Sequence, residues 1–482
     1  MGFLDALNKT FDPDRALMLA TDGLIEAAGT RYALGKSPAK YKPGAPLKLF
    51  FAGYGGTRNT GADVRVEEMI RQVRHVLGDD DIELTISTVD PALTAGYFRT
   101  VKQVELPTIF PRFIFDEVPR HHGVIACEGS MFKSKFASAL TTFMAGSLGM
   151  ANAEGKFSIG YGAEAGEMAP ALRRFVERHC KGSLVMCRNE PSRSVLDNLG
   201  IRNTSGADTA WTFTPAPLAK GAQLLRDQGW DGKTPVLAIS VINPFWWPVK
   251  PDVMKTAAFH LSGQYRREHY KSVYFHPASS EIDVKTDRYW SAIANAVNAF
   301  RREKRVFPIL VGMEQLDRLA CEQVNARLDE QAPIFNSDEY VMYDLVSVLW
   351  NCKLMVSSRF HAIVTSMPGL VVSGGITMDE RIRNVMASRG HEDLSLECDD
   401  PELEGKTLAM LRKLDAEFER IRHEIARTIP GQLKLMGEMG IYFADELARV
   451  YPDFPRRDLP RSWDTHLPSL SAALRPILEE YA

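Results

Sequence analysis

Apolar and polar positions along the chain alternate between two periods. Short unbroken apolar runs are separated by stretches in which apolar residues return every three or four positions. In the first half the short runs are 47–52, 82–89, 123–127, 157–161 and 183–187, and they predict strands buried on both faces. Between them 63–77, 132–150 and 168–180 carry helical spacing. The same alternation restarts further on. Runs at 236–241, 306–311, 353–356 and 370–373 predict strands, and 288–302, 314–328 and 341–350 predict helices. Strands alternating with helices on short connections are βαβ units, so each half is expected to build its own parallel sheet.

The flanks read differently. Residues 1–46 predict a helical preface ending in the turn-rich Lys36-Ser37-Pro38 and Lys42-Pro43-Gly44-Ala45-Pro46. Beyond residue 400, Leu408, Leu411, Leu414, Phe418, Ile421 and Ile425 mark one amphipathic helix, expected to pack back onto the domains rather than to serve a partner. The expected organisation is α/β, with two doubly wound (Rossmann-like) domains facing a cleft. A helical extension occupies 1–46, the first domain 47–215, a linker 216–234, the second domain 235–400 and a helical extension 401–482.

A length of 482 residues is too great for one ordinary core, which agrees with two domains. A hydrophobic share of 45% with 25% charged residues is a globular balance, and a net charge of -3 implies no global field for nucleic acid. The six cysteines form no Cys-x-x-Cys and no cluster with histidine, so free buried thiols are expected, without disulfides, zinc or another metal. The start Met1-Gly2-Phe3-Leu4-Asp5-Ala6 has neither a secretory leader nor a myristoylation pattern. No run reaches about 18 apolar residues, so no membrane span is expected and the protein is placed in the cytoplasm, with peripheral membrane association and oligomeric state left open.

Candidate chemistry lies just after the strands. The run 353–356 leads into Ser357-Ser358-Arg359-Phe360-His361-Ala362, a permanent cation and an imidazole two residues apart where strand gives way to helix. With Ser357 or Ser358 as cap, the exposed backbone N–H groups and Arg359 would favour an anion, with His361 within reach as acid or base. An arginine there is equally suited to pairing with a nearby carboxylate. Arg58 and Arg188 also follow strands, and three cations converging would give a positively lined crevice for a multiply charged small anion. The glycine-rich 53–61 is neither a dinucleotide fingerprint nor a Walker loop. Ser130 lies on the loop after Cys127. Glu314 and Asp317 are candidate contacts to acceptor hydroxyls or a candidate base, or acids that merely suit a helix start, and Trp246 and Trp247 are a candidate sugar-stacking wall or a buried loop plug. His121 and His122 read as solvated.

This set resembles the polysaccharide pyruvyl transferase family over about residues 47–390. The Asn-x-Gly of that family is matched by Asn59-Thr60-Gly61, its Arg-x-x-x-Ser by Arg188 to Ser192, and the Leu-Gly-Ile that follows by Leu199-Gly200-Ile201. A later Asp is matched by Asp208, and the Arg-x-His-Ala hallmark by Arg359, His361 and Ala362. Departures are Gly61-Ala62-Asp63 for Gly-Asp, Glu128-Gly129 for Gly-Gly, and Phe360 for the common Leu. The resemblance implies a glycosyltransferase-B-like architecture and transfer of pyruvate from phosphoenolpyruvate onto two sugar hydroxyls as a ketal, with release of phosphate and no cofactor. It makes His361 the proton donor to the methylene carbon. Arg359 would act beside it, and Arg188, Asn59, Gly61, Ser130 and Arg58 would bind the donor. The acceptor would be a carbohydrate, free or lipid-linked. Two other readings fit the same architecture: a glycosyltransferase using a nucleotide-sugar, and a binding protein without catalysis.

Overall fold

The computed structural model describes residues 12–262 and 272–481. The start of the chain, including the reading of Met1 to Ala6, lies outside the described residues. The preface is helical over Pro13–Ala33, capped by Asp12, whose carboxylate accepts from Arg15 N at 3.1 Å.

The first sheet holds β1 (Leu47–Gly55), β2 (Ile82–Thr88), β3 (Lys102–Glu105), β4 (Gly123–Ala126), β5 (Phe157–Ala163), β6 (Leu184–Cys187) and β7 (Asn203–Ser205), all parallel, in the order β3-β2-β1-β4-β5-β6-β7. The second holds β8 (Val236–Ser240), then, past a small antiparallel pair of β9 (Lys250–Pro251) and β10 (Tyr274–Phe275), β11 (Phe307–Gly312), β12 (Ile334–Asn336), β13 (Leu354–Ser357), β14 (Val372–Thr377) and β15 (Ser395–Glu397). Its order is β12-β11-β8-β13-β14-β15, again parallel throughout. Strands β4, β5 and β8 are buried along their whole length, as helices on both faces require. The two doubly wound sheets are the expected fold class. In each, strand order reverses beside the first strand, between β1 and β4 and between β8 and β13, and ligands collect beyond the strand ends at such points.

The domains meet through backbone. Thr60 N donates to Met313 O at 2.8 Å, and Ser337 Oγ to Arg58 O at 2.7 Å.

Several elements differ from the sequence reading. The helix expected from 132 starts at Ser138, because Phe132 instead bonds Glu164 O and Gly166 N alongside β5. The helix expected from 314 starts at Asp317, whose carboxylate takes the N–H groups of Met313 and Glu314 at 3.0 and 3.1 Å and so holds a turn open there. The region read as a linker contains the helix Leu218–Asp227, packed on Met342–Trp350 so closely that a Cβ on Gly221 would stand 2.4 Å from Ser347 O. The C-terminal stripe is two helices, Leu403–Ala416 and Phe418–Val450, joined at Glu417. The longer one returns to the first domain, where Phe443 meets the rings of Phe157 and Tyr161 and Glu446 takes a bidentate bond from Arg202.

His121 and His122 are buried, not solvated, and His122 Nδ1 accepts from Lys48 N at 2.9 Å. All six cysteines are free, five of them buried. Among the described residues no helix is long and apolar enough to cross a membrane.

Candidate active site

The end of β13 delivers Arg359 differently from the sequence reading. Ser357 Oγ accepts from Arg359 N at 3.0 Å and donates to Arg359 O at 2.9 Å, so this serine shapes a turn and caps no helix. Arg359 itself precedes the short helix Phe360–Ser366. Its Nε donates to Asp317 Oδ2 at 2.7 Å, and its Nη2 to Asp317 Oδ1 and to Glu314 Oε2. Glu314 and Asp317, expected as acceptor contacts, are thus the counter-ions of Arg359. Glu314 also accepts from Asn59 Nδ2 at 3.3 Å, which ties the Asn-x-Gly loop of the first domain to the arginine of the second. Asn59 Oδ1 caps the helix Thr60–Leu77 through Ala62 N.

In the first turn of that helix Gly61 faces the imidazole. A Cβ there would lie 2.1 Å from His361 Nδ1, so the glycine is a steric requirement. On its other side His361 Nε2 meets Asp208 Oδ2 at 3.3 Å. The same oxygen lies 3.2 Å from Arg65 Nε and 2.8 Å from Arg188 Nη1. Burial pushes the imidazole down to about 4; Asp208 opposes this, while Arg65 and Arg188 add to it. Burial alone would raise Asp208, but Arg65, His361 and Arg188 together hold it well below the usual carboxylate range. Burial thus favours the neutral imidazole, and Asp208 favours the charged one.

Arg188 is enclosed further by Glu164 and by the face of Phe360, 4.7 Å away. Glu164 in turn lies 3.2 Å from Lys133 Nζ, and Lys133 bridges the domains to Glu380. Arg381 is held by Asp379, Nε to Oδ2 at 2.8 Å, over the ring of Phe136. Each of these five cations, Arg65, Lys133, Arg188, Arg359 and Arg381, faces at least one carboxylate. A positively lined crevice was expected, and this is a correction: the buried cations are compensated, as charges in a low dielectric must be. Donor capacity remains all the same. Among the described residues, Arg359 Nη1 and both Nη atoms of Arg381 have no hydrogen-bond partner.

Arg188, Arg359 and His361 line one cavity between the sheets, together with Asn59, Ser130 and Glu314. Asp317 lies behind Arg359. Arg58 does not join them: it adopts a left-handed φ of 53°, and its guanidinium lies over Tyr97 with Nη1 2.9 Å from the hydroxyl. Trp247 reaches the cavity, whereas Trp246 is stacked on His276 at 4.5 Å. Beyond Trp247 the wall is apolar, through Leu106, Phe110, Leu140, Phe143 and Val249. Sequence reasoning missed Arg65, Lys133, Glu164, Arg381 and the cavity-lining Glu128. Glu128 stood out only as a departure from Gly-Gly, and Arg65 follows Gly61 by one helical turn. Among the described residues no group of three or more His, Cys, Asp or Glu side chains is arranged to hold a metal.

Among solved structures the chain is similar to a glycosyltransferase from Rickettsia africae, at 10% identity and a TM-score of 0.49, covering 84% of this chain and 99% of that one. It is also similar to Anabaena Alr3699/HepE in complex with UDP-glucose, at 10% identity and 0.48, covering 90% and 99%. A third is the UDP-GlcNAc 2-epimerase from Neisseria meningitidis, at 9% and 0.48, covering 84% and 100%. No curated protein matches the chain. The family model for polysaccharide pyruvyl transferase matches residues 105–367, more than half of the chain, including Arg188, Asp208, Arg359 and His361. The chain belongs to the polysaccharide pyruvyl transferase family.

Proposed function

We propose that the protein transfers a pyruvyl group from phosphoenolpyruvate to two hydroxyls of a carbohydrate acceptor in the cytoplasm, forming a ketal and releasing phosphate. One observation carries this reading: Arg188, Arg359 and His361, drawn from two domains, line the same cavity. The donor carries a phosphate and a carboxylate, and the unspent guanidinium nitrogens of Arg359 and Arg381 are suited to both. The acceptor lies toward Trp247 and the apolar wall, whose aromatic face suits the apolar face of a sugar ring, free or lipid-linked.

In the reaction the methylene carbon takes a proton, a first hydroxyl adds to the carbon bearing the carboxylate, and the second displaces phosphate. One of the two hydroxyl protons balances the new methyl group and the other leaves with phosphate. His361 hands over the proton to carbon. Burial disfavours its protonated form, and the negative charge of the donor raises the imidazole as it binds, so that it takes up the proton it hands over.

The test is phosphate release and ketal formation from phosphoenolpyruvate with a panel of methyl hexopyranosides bearing free 4- and 6-hydroxyls. Wild type is expected to release phosphate with at least one of them. His361→Gln is expected to fall by about 100-fold or more and to lose the decline of kcat toward high pH that marks a required imidazolium. Transfer from a nucleotide-sugar with no release from phosphoenolpyruvate would replace this reading with that of a glycosyltransferase.

A further inference from the structure

Glu128 stands apart from every other charged side chain that lines the cavity. Arg188, Glu314, Arg359 and Arg381 are each in ion pairs, whereas among the described residues Glu128 is in none. Its carboxylate Oε1 accepts from Tyr54 N at 3.0 Å, which fixes this side chain of the loop after β4 against the end of β1, at the point where the strand order of the first sheet reverses. It is half-buried and opens onto the cavity, so its second oxygen is available to a ligand. The next residue, Gly129, abuts the ionic cluster: a Cβ there would lie 2.8 Å from Arg188 Nη1. An uncompensated carboxylate one residue from that cluster is a poor neighbour for a donor that carries three negative charges, but it suits a neutral polyol, whose hydroxyls donate to it. It also stands where the family resemblance leads one to expect glycine, so the feature belongs to this chain.

Resting on the function proposed above, we infer that Glu128 is a further catalytic residue, the carboxylate that binds the acceptor hydroxyls and takes the proton of the one that attacks. As that hydroxyl adds, its O–H bond breaks toward the free oxygen of Glu128, and the new C–O bond forms at the carbon bearing the donor carboxylate. The adjacent methylene carbon has meanwhile received its proton from His361. Phosphate departs with the electron pair of its C–O bond and takes the proton from Glu128, which restores the carboxylate; the second hydroxyl then forms the other C–O bond of the ketal and its proton returns to His361.

The experiment compares wild type, Glu128→Gln and Glu128→Gly with phosphoenolpyruvate and whichever methyl hexopyranoside the wild type uses. Glu128→Gln keeps an acceptor for Tyr54 N, so the loop stays in place while the base is lost. Both variants are expected to keep the KM for phosphoenolpyruvate within about twofold and to lose about 100-fold in kcat/KM for the glycoside, with formate restoring part of the loss in Glu128→Gly. Unchanged kcat/KM for the glycoside in both variants would overturn the inference, and so would a loss confined to phosphoenolpyruvate. A wild type that releases no phosphate with any glycoside would instead remove the functional reading on which the inference rests.

Discussion

At Gly61 an added methyl group would stand 2.1 Å from His361 Nδ1, and the imidazole is held on its other side by Asp208. Gly61→Ala is therefore expected to displace the ring and cost about 100-fold in kcat, because misplacements near 1 Å at a reacting group have that effect. The melting temperature should change little, since alanine at a helical position offsets part of the strain. A variant with wild-type kcat would show that the imidazole need not stand where Gly61 leaves room. Arg188, Arg359 and His361 were legible in the sequence because each follows an apolar strand at a motif spacing. Their pairing with counter-ions was not, although Asp208, Glu314 and Asp317 each stood out singly. Glu164 and Asp208 reach Arg188 across 24 and 20 residues of chain, and a contact that folding alone creates leaves no local pattern. Arg58 was misread for the opposite reason: its place in the chain fits the motif, but a left-handed backbone turns its side chain onto Tyr97.

Among the elements, strands buried on both faces were the easiest to read, because a short unbroken apolar run bounded by turn residues suits a strand covered by helices on each side. Short edge strands such as β3, β7 and β15 are only partly buried and carry no such run, and they were missed. Helix starts failed where a side chain or a neighbouring strand claimed the backbone first, as at Asp317 and Phe132. The C-terminal stripe was recognised as apolar, but its division at Glu417 depends on the two domains it must span. The helix Phe418–Val450 covers the first domain through Phe443, which is fully buried against Phe157 and Tyr161. Phe443→Ala is expected to cost about 3–5 kcal/mol in denaturant unfolding. A loss below about 1 kcal/mol would mean that this helix is not part of the core it covers.

At the scale of the whole molecule, burial disfavours the charged form of several histidines among the described residues. Burial pushes His121, His122 and His361 down to about 4 from the ordinary 6.5, with Lys156 adding to the effect at the first two. In each case the unfolded chain binds a proton that the folded chain refuses, so stability is fully present above about pH 6.5 and is lost as the pH falls toward 4. The melting temperature should fall through that window. His122→Gln should flatten the fall, and an equal slope in that variant would exclude the histidine. The two sheets bring Arg188 and Asp208 from one domain to Arg359 and His361 from the other, and the proposed chemistry depends on that meeting. Calorimetric titration with phosphoenolpyruvate tests it most directly. One equivalent is expected to bind the wild type, and Arg359→Ala is expected to abolish the heat. Binding of a nucleotide-sugar with none of phosphoenolpyruvate, or undiminished phosphoenolpyruvate binding by Arg359→Ala, would contradict the account.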